Sequence, residues 1–275
     1  MTSILDNISS IKKEKSKNGI IFYVNESLDD TFFLPSIEEE VDIILAPNTH
    51  LNLLEKDVPN FKRRYHLKEG STLRHNFLVL DSLGKENRII EIDENASWDA
   101  AYADFSSKNN NIKIDCYLND KGARGIFHLA SLARHEVKKI FDINFTHNAP
   151  FSESQMENYG VVRDASTLFF IGTSHIKKGA YRSNAKQSSK IMVFDPKCHV
   201  SASPILRIDE NDVLATHAAA EGRINEEHMF YLMSRGLKEE EAKRIITLGY
   251  LNPILPLMFD EKIRKEVENI ILERM

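Results

Sequence analysis

Residues 124–194 read RGIFHLASLARHEVKKIFDINFTHNAPFSESQMENYGVVRDASTLFFIGTSHIKKGAYRSNAKQSSKIMVF, and four runs inside this stretch decide the fold: RGIFHL at 124–129, KIFDINF at 139–145, TLFFIGT at 167–173 and KIMVF at 190–194. Apolar residues here hold no 3.6-residue period, and β-branched and aromatic side chains fill the runs, so each reads as a strand. The same texture extends over 41–216, through VDIIL, HLNLL, FLVLD, RIIEI and KIDCYL upstream and PILRI downstream. Between these runs there is no Asn-Gly or Asp-Gly turn and no helical crossover, which removes the strongest signal for tight hairpins and for βαβ units. Many short strands in succession suit a coiled solenoid whose coils touch only their neighbours; a β-sandwich is the alternative that periodicity leaves open.

After Gly222 the texture changes. Asn225 can cap a helix that carries Glu226 and Glu227 in its first turn, and Gly236 can stop it. A second helix, KEEEAKRIITLGY, places Glu239 four residues before Lys243 and Glu240 four before Arg244, with Ala242, Ile245 and Ile246 on the face expected to meet the core. Pro253 and Pro256 punctuate a linker, and Asp260 can cap a last helix with Ile263, Val267, Ile270 and Ile271 in one stripe. The expected organisation is a short N-terminal segment at 1–40 with a strand at 20–24, a β body at 41–222 and a helical unit at 223–275 placed to cover the exposed final coil.

Composition bounds the function. The 275 residues carry 36 Lys+Arg against 41 Asp+Glu, a net charge of -5, which argues against a phosphate-neutralising nucleic-acid surface. No apolar run approaches the ~20 residues that cross a bilayer, and the opening MTSILDNISSIKKEKSKNG lacks the apolar core of a secretory signal. Two cysteines, Cys116 and Cys198, fit a reducing, cytoplasmic setting and are too few to hold an iron–sulfur cluster, which takes about four ligands. The ten histidines form no HExxH, and no P-loop, GxSxG or GxGxxG occurs. The residues by themselves point to no catalytic constellation.

Spaced motifs in the second half go further. Gly172 follows an aromatic strand; Gln187-Ser188-Ser189 precedes the run at 190–194; Pro204-Ile205-Leu206, Asp212-Val213, and His217 with Gly222 come next; Phe230-Tyr231-Leu232, Ser234-Arg235-Gly236 and Glu241-Ala242 complete the series. In this order they resemble the SufB/SufD family of iron–sulfur cluster assembly proteins. The resemblance implies a right-handed parallel β-helix followed by C-terminal helices, a complex with a SufB- or SufD-type paralogue, and docking of the ABC-type ATPase SufC near those helices. Ala218 after the histidine and Ser189, where SufB-type proteins carry Glu and a sulfur-accepting cysteine, make the chain resemble SufD more than SufB. Ala215 stands where SufD-type proteins often have cysteine, and the first forty residues are shorter than the helical N-terminal region of many relatives.

The resulting expectation is a non-catalytic SufD-like scaffold: it binds no cofactor alone, holds a transient cluster at a subunit interface, and leaves ATP hydrolysis to its partner. His217 is the candidate cluster and metal ligand, against the alternative of a turn histidine fixed by a backbone hydrogen bond. Glu239, Glu240, Lys243 and Arg244 are the candidate ATPase-docking face. Cys116 and Cys198 are expected to pack as small apolar groups, and the helix around Phe230, Tyr231 and Leu232, apolar all round, is expected in the core. The alternatives are a SufB-like or self-pairing scaffold, including a homodimer, and a β-helix carbohydrate-active enzyme.

Overall fold

The structure, a computed structural model, describes residues 10–34, 36–57, 61–81 and 84–274. Residues 1–9 of the segment read for a secretory signal lie outside the described residues. An antiparallel hairpin opens the fold: β1 (Ile11–Lys15) pairs with β2 (Gly19–Val24) across a turn over residues 16–19. From β2 onward the chain alternates between two sheets. One contains β2, β4 (Glu40–Leu45), β6 (Lys62–Leu67), β8 (Gly84–Ile92), β10 (Asn110–Leu118), β12 (Lys138–His147), β14 (Thr167–Ile176) and β16 (His199–Ile208), with β1 at its edge. The other contains β3 (Leu28–Leu34), β5 (His50–Lys56), β7 (Thr72–Val79), β9 (Ser97–Asp104), β11 (Arg124–Ala133), β13 (Glu153–Val162), β15 (Asn184–Val193) and β17 (Leu214–Arg223). Every pairing after the first hairpin is parallel, between strands two apart in sequence, so the molecule is a parallel β-solenoid and not a sandwich. Parallel pairing already begins in β2, where Ile20 sits opposite Val41.

Alternation puts one side-chain set into the lumen. In β12 the inward residues are Lys139, Phe141, Ile143, Phe145 and His147; in β9 they include Trp98, which stacks on Phe127, and Tyr102, which meets Phe141 edge-on. Each fully buried large apolar side chain of this kind contributes roughly 1.5–3 kcal/mol. The coils widen along the chain: Leu45 pairs with Leu67, His147 with Ile176 and Ile176 with Ile208. At one corner the turns stack through left-handed residues, Asn48, Gly70, Asn95 and Gly122, each donating its N–H to a carbonyl of the next turn. Asn and Gly suit that conformation because it crowds a larger side chain.

The helices do not cover the final coil. After α1 (Glu226–Ser234), the chain runs through α2 (Glu239–Leu251), a 3-10 turn (Asn252–Leu257) and α3 (Glu261–Glu273) back over the outer face of β7–β13. There Leu251, Ile254, Leu255, Val267 and Ile271 bury against Leu78, Ala103, Phe105, Leu132 and Val161, an outward apolar strip that β17 does not offer. Arg274 fastens the end by donating to the carbonyls of Leu80 (2.7 Å) and Phe105 (2.8 Å). No helix among the described residues is long and apolar enough to cross a membrane.

Candidate functional site

The C-terminal end of the solenoid is bare. Among the described residues the backbone of β16 pairs only with β14 and that of β17 only with β15, so two edge strands at one end leave backbone groups without a strand partner, except that a Glu221 carboxylate takes the Ala202 N–H and Pro204 has none to offer. Such edges are templates for another chain. Along 214–220 no Pro, Asp, Glu, Lys or Arg blunts β17, which reads LATHAAAEGR: Ala218, Ala219, Ala220 and Gly222 permit close backbone approach, and Leu214 is 70% exposed.

His217 belongs to this end. In register it follows Phe127, Met156 and Gln187 down one inward column, so it faces the lumen and is exposed only because no coil stacks on it. Beneath it, Gln187 is buried and donates Nε2 to Ser174 Oγ (2.7 Å) and to the Ile205 carbonyl (3.2 Å), while its Oε1 has no partner. Asn158 likewise donates to Ser189 (3.0 Å). The lumen thus changes from aromatic in the middle to small and polar near the mouth. Gly160 and Gly172 belong to this change: a Cβ at Gly160 would lie 2.4 Å from Leu168 and one at Gly172 would lie 2.8 Å from Met156.

The other singled-out residues are placed differently. Cys116 is buried in the lumen beside Gly125 and Phe145, and burial pushes its thiol far above the ordinary range. Cys198 is half-buried at the terminal corner, where it lines a recess of about 220 Å³ with Val200, Glu221 and Arg223. Glu221 accepts the Ala202 N–H and so links the two terminal strands. Among the described residues no group of three His, Cys, Asp or Glu side chains is placed to hold a metal ion.

Two expectations about the helices are corrected. α1 is not core: it packs against α2 beyond the bare end, buries none of its residues, and leaves Phe230 75% and Tyr231 56% exposed. In α2 the buried residues are Ala242, Thr247 and Leu251, and Ile245 is exposed, because the helix meets β13 through the stripe that brings Tyr250 onto Tyr159. Glu239, Glu240 and Arg244 are exposed as expected, but Lys243 bridges Glu239 (2.7 Å) and Glu240 (3.0 Å), and Glu240 also meets Arg163 of the β body at 3.1 Å.

The sequence reading missed the charges inside the solenoid. Arg88 binds Glu86 (2.9 Å), Glu55 (3.0 Å) and the Tyr65 hydroxyl (2.6 Å), and His75 meets Glu55 at 2.9 Å, all of them buried. The signal was present: Arg63 is in phase with Tyr65 and Leu67, and Glu86 and Arg88 with Ile90 and Ile92.

The family model of the SufBD core domain of the SUF iron–sulfur cluster assembly system matches residues 38–250. The chain belongs to the SufBD family. Within it the chain is SufD-like. It is 35% identical over 154 residues to the iron–sulfur cluster assembly protein SufD of Bacillus subtilis, covering 56% of this chain and 35% of that protein. Against SufB of the same organism identity is 26% over 161 residues, covering 58% and 35%, and against SufD of Escherichia coli it is 25% over 156 residues, covering 56% and 37%. The matched part spans about a third of the length of these SufBD relatives.

Proposed function

We propose that this chain is a non-catalytic, SufD-like scaffold subunit of a cytoplasmic iron–sulfur cluster assembly complex, with the cluster as transient cargo at a subunit interface. The observation that carries this reading is the bare terminal coil. A SufB-type paralogue adds strands to β16 and β17, continuing both sheets by edge pairing. His217, inward-facing at the mouth, then lies in the shared lumen and offers one imidazole to the cargo, while the remaining ligands of about four come from the paralogue. A SufC-type ATPase docks on the helical unit, where α1 presents an exposed apolar face and Glu239, Glu240, Lys243 and Arg244 a charged one. ATP hydrolysis resides in that partner.

Membership of the SufBD family supports this reading over a carbohydrate-active enzyme. Co-expression with a SufB-type protein and a SufC-type ATPase tests it. Ala219→Lys puts a charge into the open mouth at an exposed position, so the chain alone should melt as the wild type does, yet capture of the SufB-type protein should be lost. Undiminished capture places the interface elsewhere. A stable homodimer that Ala219→Lys dissociates supports the self-pairing alternative.

A further inference from the structure

Away from the open end, the outer face of β7–β11 and the linker between α2 and α3 enclose a cleft of about 290 Å³. Arg74, Asp99 and Arg124 line one wall and Leu257 and Phe259 the other. The walls are fixed to each other. Buried Asn76 donates Nδ2 to the Leu257 carbonyl at 3.1 Å and accepts the Phe259 N–H at 3.0 Å.

The charges in this cleft are unevenly matched. Arg74 and Asp99 are register neighbours on β7 and β9 but form no ion pair. Asp99 instead takes the Arg124 guanidinium at 2.9 Å, and Arg124 also lies 3.5 Å from Glu153. Arg74 lies over the Phe259 ring, 5.5 Å from its centroid, and has no ion pair among the described residues. A guanidinium stacked on a ring keeps its planar N–H fork available, and that fork matches the two oxygens of a carboxylate or phosphate.

We infer that this cleft binds a small organic anion, its oxyanion group forked by Arg74 and its apolar body packed against Phe259, Leu257 and Ile126. The volume is at the low end for small-molecule sites, as suits a compact ligand. His128 adds a hydrogen-bonding ring beside the two arginines without a further cationic charge, because burial lowers its pKa. The ligand touches both the solenoid and the linker, so binding also secures the helical unit to the β body.

Calorimetric titration of the whole chain with benzoate and, separately, with inorganic phosphate tests the site. The expected result is saturable benzoate binding no weaker than low millimolar, reduced at least about tenfold by Arg74→Gln. Arg64→Gln, at an exposed arginine on the other sheet, should leave it unchanged. Arg74 is itself exposed, and an unchanged melt of Arg74→Gln confirms that the loss is not one of folding. Phosphate binding that depends on Arg74, without benzoate binding, keeps the anion fork and overturns the apolar part of the site. Absence of saturable binding for both probes, or benzoate binding equal in Arg74→Gln, overturns the inference.

Discussion

Replacing His217 by alanine separates a ligand from a turn fixture. The side chain is exposed, so His217→Ala should shift stability by less than about 0.5 kcal/mol and leave complex assembly intact. Cluster delivery by the assembled complex should nevertheless fall; delivery at the wild-type rate would remove His217 from the cargo site. Buried His147 behaves differently. Its Nδ1 and Nε2 lie 2.8 Å from the hydroxyls of Ser152 and Ser154, and burial pushes its pKa down from 6.5 to about 4. The unfolded chain therefore takes a proton near pH 6.5 that the folded chain refuses until about pH 4. Stability is full above pH 6.5 and is lost as pH falls towards 4, by up to about 3 kcal/mol from this residue. Urea melts at several pH values should show that slope, and His147→Gln should reduce it, leaving the share of buried His75, whose pKa burial likewise lowers from 6.5 to about 4. Within the lumen, burial opposes the charge on Glu55, but Arg88 and the hydrogen bonds from His75 and Tyr65 hold its pKa well below the usual carboxylate range. Arg88→Met leaves Glu55 and Glu86 without their counter-charge and should cost about 3–5 kcal/mol, read as a fall of roughly ten degrees in Tm.

The strands were the most legible elements, because half-buried alternation in runs such as KIFDINF repeats inside each coil, and the helices were legible from Asn225 and Asp260, which do cap α1 and α3. Coil against sandwich was not legible, since both need the same alternation; pairing between strands two apart in sequence distinguishes them, and the family resemblance supplied it. The first hairpin was not legible either: its turn is closed by the Ser16 N–H on the Gly19 carbonyl with Lys17 and Asn18 at its centre, and neither Asn18 nor Gly19 takes the left-handed conformation that makes Asn-Gly a hairpin signal. Burial of α1 was misread because an all-round apolar helix fits a core or an uncovered interface equally well. The inward position of His217 could not be told either, since it depends on register with Gln187. For the helical unit, Tyr231→Asp and Phe230→Asp should spare the melt and weaken capture of a SufC-type ATPase. Charge reversal at Glu240 also breaks its contact with Arg163, whose side chain is largely buried, so only a capture defect larger than the effect on melting assigns the charged face to docking.

Across the whole molecule, stability and exposure are divided by position. The helical unit braces the middle coils through Leu251, Val267 and Ile271 against β7–β13, whereas β16 and β17 bury few side chains and lack neighbours on one side. Backbone amides at such an edge open with little free energy, and strand addition by a partner would close them. The central claim is that a SufB-type paralogue completes both sheets at this end. Amide hydrogen exchange, followed by mass spectrometry on the chain alone and then with a SufB-type protein, tests it most directly. The account predicts fast exchange in His199–Ile208 and Leu214–Arg223 for the chain alone and strong protection of both segments in the complex, with the middle coils unchanged. Complex formation that leaves both terminal strands exchanging as fast as in the free chain would contradict it.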